Sequence, residues 1–237
     1  VADLEMVEHL EEIHLLMSEL KESRFDYEGA DRRYAARFRH YGVDIDALPT
    51  KEAAAWLRSQ TDVIPAIIAA LDHWAACRRA LKDNSGASVL TALAQSLDGD
   101  PWRRRVREAL ATNIKKTLVE LEALAASESL ARQAPSTVCV LASALRSNGK
   151  PDRAFEILGR ALGEHPDDFW LHFEAASASR SRRPQCYDEA IRHYTAARAL
   201  RPRCAAVLNN LGNALRDQGK LDEAIDCCRK AIELDPK

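Results

Sequence analysis

The side chains best suited to chemistry in this sequence are its seven histidines and its paired carboxylates. His9 and His14 are five residues apart, a spacing that does not put two imidazoles on one helix face as a metal pair requires. Asp167 and Asp168 are adjacent, and carboxylates at a helix start are stabilised by the helix dipole without any catalytic role. No HExxH motif, GxSxG motif or GxxxxGKS/T phosphate loop occurs. We therefore predict no catalytic site, no metal site and no bound cofactor.

The composition favours a helical protein with a sizeable core. The chain has 237 residues, a net charge of -2 and 46% hydrophobic residues, with few aromatics and few glycines. No run of eighteen apolar residues is present, and the acidic start VADLEMVEHLEE lacks the basic flank of a secretion signal. The six cysteines form no CxxC pair and are expected to be reduced thiols in the cytoplasm, with a redox switch at Cys227 and Cys228 as the alternative. Because the first residue is Val1, we expect a piece of a longer polypeptide.

A repeated segment organises the C-terminal half. Residues 209–236 read NNLGNALRDQGKLDEAIDCCRKAIELDP, two apolar stripes on either side of Gly219. Steps of 34 and then 36 residues lead from Pro236 to Pro202 and Pro166. Small residues share one column of the three segments: Ala224, Ala190 and Ala154. One helical hairpin cannot bury its own apolar face, so this pattern predicts hairpins that stack on one another.

The pattern resembles the tetratricopeptide repeat family. The resemblance covers three consecutive units, 135–168, 169–204 and 205–237, and it is clearest in the last unit. It implies an all-α fold, a right-handed α–α superhelix. The middle unit departs from the family pattern, because it contains an insertion of two residues and Ser179 replaces a larger residue.

The first 134 residues also read as helical, but without a clean period. The pattern predicts an amphipathic helix over residues 1–22 that either packs on the domain or associates with another copy as a coiled coil. Its apolar stripe contains Leu4, Val7, Leu10, Ile13, Leu16, Met17 and Leu20. Residues 23–134 read as irregular helical hairpins. They include a helix over 27–41 that ends at Gly42, and a degenerate repeat at 101–134.

A second resemblance concerns the order of short segments along the chain. YAARFRHYGVDIDALP, ALDHWA, DPWRRRVREAL and HPDDFW precede or enter the repeats in that order. The arrangement is similar to the region that follows the kinase domain in planctomycete-type bacterial serine/threonine kinases. It implies an accessory region of a larger signalling protein. The chain itself has no Gly-rich loop, HRD motif or DFG motif, so we expect no kinase activity from it.

The first resemblance implies that the first helix of each unit lines a concave groove that binds a protein or an extended peptide. The alignment of the units places eleven residues in groove-facing columns: Arg146, Arg180, Arg216, Ser143, Ser177, Trp170, Phe173, Glu174, Asn209, Asn210 and Asn213. The three arginines share one column and could hold an acidic or phosphorylated segment, because guanidinium groups offer a rigid fork of donors. Solvated arginines near a helix end are the alternative.

Two other sets of residues extend this hypothesis. The asparagines can donate to and accept from a peptide backbone, and the family often does so at the column of Asn210. Trp170 and Phe173 would form an aromatic anchor for a partner, or else pack between adjacent units. We therefore expect a protein–protein interaction scaffold without enzymatic activity.

A basic segment leaves a further alternative open. Residues 180–203 contain seven arginines and two acidic residues. Nucleic acid is a conceivable partner for such a segment, although the chain as a whole is slightly acidic. An acidic protein, the acidic N-terminal helix of another copy, or plain solvent are the other possibilities. An enzyme with an unrecognised site is the remaining alternative function.

Overall fold

A computed structural model describes residues 2–17, 20–21, 24–60, 63–111 and 114–235. The chain divides into two compact units, Val1–Ala111 and Thr112–Lys237. The first contains α1 Ala2–Met17, β1 Leu20–Lys21, β2 Arg24–Phe25, α2 Tyr27–Tyr41, α3 Thr50–Arg58, α4 Ile64–Ala80, α5 Asn84–Leu97 and α6 Pro101–Ala111. The second contains α7 Ile114–Ala126, a 3-10 helix Glu128–Arg132, α8 Pro135–Ser147, α9 Pro151–Glu164, α10 Phe169–Ser181, α11 Tyr187–Leu200, α12 Ala205–Asp217 and α13 Leu221–Leu234.

The all-α prediction is confirmed. The strands β1 and β2 have two residues each and form a short antiparallel pair, with Leu20 opposite Phe25 and Lys21 opposite Arg24. The predicted helix over 27–41 is confirmed, and Gly42 follows it with a φ of 114°. Among the described helices, none has both the length and the apolar character needed to cross a membrane.

The division between the units falls inside the segment for which the sequence suggested one degenerate repeat, 101–134. Helix α6 belongs to the first unit and α7 to the second. Within the second unit, α7 and the 3-10 helix pack against the first hairpin. Pro236, which the sequence predicts as the stop of the last helix, lies outside the described residues.

The core of the first unit is centred on Trp74 of α4. Its indole ring stacks on Tyr34 and Phe38 of α2, with ring centroids 5.7 and 5.6 Å away. Its Nε1 donates to Asp31 Oδ1 at 2.6 Å, and the Arg78 guanidinium lies 4.5 Å from its ring centroid. A buried indole whose only polar atom has a partner contributes its full apolar area without leaving an unsatisfied donor.

Helix α1 packs into this unit. Met6, Leu10 and Ile13 are buried, and the helix contacts α2 and α4. The Asp3 carboxylate accepts a hydrogen bond from the Tyr41 hydroxyl at 2.5 Å. Of the two interpretations of the N-terminal stripe, the structure therefore shows the docked helix, because the apolar side chains that a coiled coil would use face their own core. The side chains of Leu16, Met17 and Leu20 lie outside the described residues.

An ion cluster joins α4 to α6. Asp98 accepts hydrogen bonds from Arg103, and the Arg107 guanidinium lies 2.9 Å from it and also binds Asp72 at 2.7 Å. Burial by itself would raise the pKa of Asp98. Hydrogen bonds from Arg103, from the Asp100 amide and from Arg107 outweigh that effect and lower the pKa to about 2.

The second unit consists mainly of three hairpins, α8–α9, α10–α11 and α12–α13. Prolines occupy the first turns of α8 and α9, and the Asp168 carboxylate caps α10 by accepting from the Leu171 amide. Gly149 and Gly219 turn the first and last hairpins with φ angles of 76° and 89°.

The middle hairpin turns differently, and the insertion explains the difference. The loop docks on α10 because the Cys186 amide donates to the carbonyl of Ser179. The Ser179 side chain is buried, and its hydroxyl donates to the Ala175 carbonyl at 2.9 Å. The small serine that the sequence analysis noted is thus satisfied within its own helix.

Small residues mark where the two helices of a hairpin cross. Ala154, Ala190 and Ala224 are all buried. At the last crossing a Cβ on Gly212 would lie 3.0 Å from Cys228 Sγ and 3.2 Å from the Ala224 carbonyl oxygen. The helices of this hairpin therefore approach each other closely enough to exclude larger side chains at position 212.

We predict that Gly212→Val destabilises the protein by about 1–3 kcal/mol, because the added methyl groups overpack the crossing of α12 and α13. The matched control is Gly159→Ala on the exposed side of α9, where a Cβ would meet nothing within 4 Å. That change raises stability by about 0.5–1 kcal/mol through helix propensity. Urea denaturation followed by circular dichroism measures both. Equal effects of the two substitutions would contradict the close crossing.

Candidate partner-binding face of the three hairpins

The predicted binding residues lie on the first helices of the three hairpins, α8, α10 and α12. We call the surface formed by these side chains the first-helix face. Its members are Ser143, Arg146, Trp170, Phe173, Glu174, Ser177, Arg180, Asn209, Asn210, Asn213 and Arg216. Residues three, four and seven apart share a helix face, which is why each helix contributes several of them.

The arginine column is engaged with carboxylates. Arg146 Nη2 of α8 lies 3.6 Å from Glu174 Oε2 of α10, and Arg180 of α10 donates to Asp217 of α12 at 2.9 Å. Arg216 also donates to Asp217, at 2.8 Å. Two of the three ion pairs thus connect consecutive first helices.

This arrangement differs from the expectation of three free guanidinium forks. The side chains of Arg146 and Arg180 are each 22% exposed, whereas that of Arg216 is 59% exposed. Asp217 neutralises two arginines at once. Burial would raise its pKa, but hydrogen bonds from Arg216 and Arg180 outweigh burial and lower it. Within the column, Arg216 is the position whose charge remains accessible.

Glu174 lies inward rather than at an open surface. Burial raises the pKa of its carboxyl group, and the charge of Arg146 only partly offsets this. Its Oε2 has no hydrogen-bond partner among the described residues, because 3.6 Å from Arg146 is too long for a hydrogen bond. Burial raises the pKa of the Cys139 thiol, and the negative charge of Glu174 raises it further. The Arg146–Glu174 pair is therefore an interior contact between α8 and α10.

The two aromatic residues belong largely to the core of the middle unit. Phe173 is 2% exposed and packs edge-on against Tyr194 of α11 at a centroid distance of 5.6 Å. Trp170 is half-buried, 5.1 Å from Phe169 and 5.9 Å from Phe173. In contrast to the expectation of a paired anchor, only Trp170 retains accessible surface. Phe173 is covered because it points toward α11.

The serines are engaged within the same unit. The Ser177 hydroxyl donates to the Phe173 carbonyl at 3.1 Å and lies 3.1 Å from the Tyr194 hydroxyl. The Ser143 hydroxyl accepts from Arg146 at 3.5 Å. Both side chains are half-buried, so they border the first-helix face without projecting from it.

The three asparagines of α12 divide into two kinds. Asn210 is 4% exposed, in contrast to the expectation that its column faces a partner. Asn209 and Asn213 are half-buried, and neither amide forms a hydrogen bond to another described residue. Because an amide has two donors and an acceptor with two lone pairs, these two side chains can still bind a ligand. With Arg216 they occupy positions i, i+4 and i+7 of one helix face.

The basic segment 180–203 is partly neutralised by its neighbours. Arg182 donates to Asp152 at 2.6 Å and to Glu189 at 2.5 Å. The Arg201 guanidinium lies 4.3 Å from the ring centroid of Phe169. With Arg180 bound to Asp217, three of the seven arginines serve contacts inside the unit.

Two histidines that looked scattered in the sequence meet in the structure. His172 Nδ1 lies 3.1 Å from His193 Nδ1, and His172 Nε2 lies 2.9 Å from the Pro166 carbonyl oxygen. Burial, the neighbouring His172 and Arg192 lower the pKa of His193 to about 4. No group of three potential metal ligands occurs in the part of the chain that the structure describes.

Asp217 is the residue that the sequence analysis missed. Its position directly after Arg216, at the end of α12, was the available signal. Its second partner, Arg180, is 37 residues away in the sequence, so only the packing of the second hairpin on the third, through α11 and α12, reveals the contact.

We predict that Arg146→Gln destabilises the protein by about 1–3 kcal/mol, because it leaves the Glu174 carboxylate buried without an opposite charge. Adding Glu174→Gln restores most of that loss, since the uncompensated charge is then gone. Arg216→Gln, in the same column but exposed, changes stability by less than about 0.5 kcal/mol. Urea denaturation of the single and double variants measures the coupling. Additive effects of the first two changes would show that the pair is not coupled.

Comparisons with known proteins agree with the repeat pattern. Two tetratricopeptide repeat profiles match the chain, at residues 140–178 and 205–237. Neither profile covers 179–204, the segment that contains the insertion.

Several solved structures show a similarity to the chain at TM-scores just below 0.5. A structure titled "MamA MSR-1 C2" is 21% identical with a TM-score of 0.49, covering 70% of this chain and 94% of that chain. A structure of YrrB, titled "a TPR protein with an unusual peptide-binding site", is 17% identical with a TM-score of 0.49, covering 71% of this chain and 86% of that chain. No curated protein sequence matches the chain. On the evidence of the two profiles, the chain contains tetratricopeptide repeats at residues 140–178 and 205–237.

Proposed function

We propose that the three hairpins form a protein–protein interaction module that binds an extended partner segment on the first-helix face. Most of the polar contacts to that segment would come from α12. The observation that carries this proposal is the accessible polar row of Asn209, Asn213 and Arg216. Elsewhere on the face the charged groups are paired within the protein, Arg146 with Glu174 and Arg180 with Asp217. On α12 two amides have no partner among the described residues, and the guanidinium beside them is mostly exposed.

The spacing of the two amides suits an extended backbone. Asn209 and Asn213 are one helical turn apart, a rise of about 6 Å. An extended strand repeats every two residues, or about 6.6 Å, so successive peptide groups on one side of a strand meet both amides. Each amide can donate to a carbonyl and accept from an N–H group, and it therefore holds the partner chain without reading its side chains.

Arg216 would add selectivity for charge. It is bound to Asp217, and Asp217 is shared with Arg180, so the group of three carries one more positive than negative charge. A phosphate group carries up to two negative charges and three acceptor oxygens. We therefore propose that the partner segment has an acidic or phosphorylated residue at the position that meets Arg216.

Binding of peptides tests this proposal. We expect an array of short phosphoserine-containing and glutamate-containing peptides to yield ligands whose affinity falls about fivefold with Asn213→Ala and about tenfold or more with Arg216→Gln. Isothermal titration calorimetry measures the affinities. Asn84→Ala and Arg104→Gln, exposed substitutions in the first unit, serve as matched controls and should change nothing. Unaltered affinity in the α12 variants would refute the assignment of the face.

We also propose, from the order of short segments noted in the sequence, that the chain is an accessory region of a larger bacterial serine/threonine kinase in the cytoplasm. Six cysteines without a disulfide are compatible with a reducing compartment. Any kinase activity would then reside outside these 237 residues. We expect the isolated chain to transfer no phosphoryl group from ATP to itself or to a generic protein substrate. Transfer by the chain alone, measured with radiolabelled ATP, would overturn the non-enzymatic assignment.

A further inference from the structure

The last helix presents an uncovered apolar stripe. Leu221, Ile225 and Ile232 of α13 are 58%, 48% and 65% exposed, and Cys228 lies between them, half-buried. These four residues occupy positions i, i+4, i+7 and i+11, so they lie on a single face of the helix. Exposed large apolar side chains are normal when scattered, but a contiguous row marks an interaction surface.

The equivalent faces of the preceding hairpins are less exposed, since Phe155, Leu162 and Ile191 are half-buried. Leu158 of α9 and Tyr194 of α11 occupy the column of Cys228, and both are buried. In that part of the unit α9 packs against α10 and α11 packs against α12. The α13 face therefore has the composition of a surface that a further helix covers.

We propose that this face binds α13 of a second copy of the chain, in an antiparallel pair related by a twofold axis. An isologous contact requires a face that complements itself. In an antiparallel register centred between positions 226 and 227, Leu221 lies opposite Ile232 of the second copy, and Ile225 lies opposite Cys228 of the second copy. Every apolar residue of the stripe then meets another apolar residue.

The charges beside the stripe support the same register. Along one edge α13 has Asp222 and Asp226 in its first half and Arg229 in its second half. The antiparallel pairing places each Arg229 between Asp222 and Asp226 of the other copy. Within one copy Arg229 reaches only Asp226, at 3.9 Å, and both side chains are largely exposed. A parallel pairing would instead place this edge against the other flank of α13, where the helical residues Ala224, Cys227 and Ala231 offer no charge.

The contact is small, so the dimer is weak. One pair of fourteen-residue helices buries less than the roughly 1,600 Å² of a standard stable interface. We expect a dissociation constant on the order of 10–100 μM, as for weak, transient contacts. Sedimentation equilibrium of the whole chain between about 5 and 500 μM covers this range. A reversible monomer–dimer equilibrium is expected.

Other outcomes of this measurement overturn the proposal. A chain that stays monomeric throughout shows that the face does not bind a second copy. Species that keep growing beyond the dimer show a head-to-tail contact instead of a twofold one.

Substitution of the stripe tests its location. The double variant Ile225→Gln and Ile232→Gln should weaken dimerisation more than about tenfold, because it removes apolar surface from both sides of the contact. Glutamine keeps the helix propensity, and circular dichroism confirms the fold. Leu4→Gln, at an equally exposed leucine of α1, is the control and should leave the equilibrium unchanged. A dimer that resists the double variant lies elsewhere and refutes the proposal.

Charge reversal tests the orientation. Arg229→Asp makes the charged edge of α13 wholly acidic. The double variant Asp222→Arg and Asp226→Arg makes the edge basic at positions 222, 226 and 229. Each variant alone should dimerise about fivefold or more weakly, whereas an equimolar mixture should form heterodimers at least as well as the parent chain. Absence of heterodimers, with both variants folded, would rule out the antiparallel register.

Discussion

The close crossing of paired helices at small side chains is the contact on which the rest of the second unit depends. Ala154, Ala190 and Ala224 are buried where the second helix of each hairpin meets the first. A Cβ added at Gly212 would crowd atoms of the facing helix. Because the helices of a hairpin lie this near, the apolar face of each hairpin is presented to the next one. Stacking then sets α8, α10 and α12 in a row, and long side chains can reach from one to the next.

The arginine column shows how this row decides what is available to a partner. Arg146 and Arg180 each bind a carboxylate on the following first helix, so they mainly connect the hairpins. Arg216 instead pairs with Asp217 of its own helix, and its side chain is the most exposed of the three. The accessible polar chemistry of the face is therefore concentrated on α12, where Asn209 and Asn213 retain unused hydrogen-bonding capacity.

The apolar stripe of α13 lies on the flank through which the preceding hairpins contact one another. A repeat buries its flanks against adjacent repeats. Ile225 and Ile232 are exposed, whereas Ile191 and Leu162, in the same columns of the preceding hairpins, are half-buried. The last hairpin therefore presents two surfaces of opposite character: a polar one on α12 and an apolar one on α13.

The sequence by itself determined the helical class, the hairpins with their hinge glycines, and which residues share a helix face, because these follow from a period of 3.6 residues and from backbone preferences near the residue concerned. Only the tertiary structure decided which of those faces are covered. Phe173 and Asn210 lie in predicted groove columns but are buried, and Asp217 binds an arginine 37 residues away. Periodicity places a side chain on one side of its own helix, whereas exposure depends on helices that are distant in the chain.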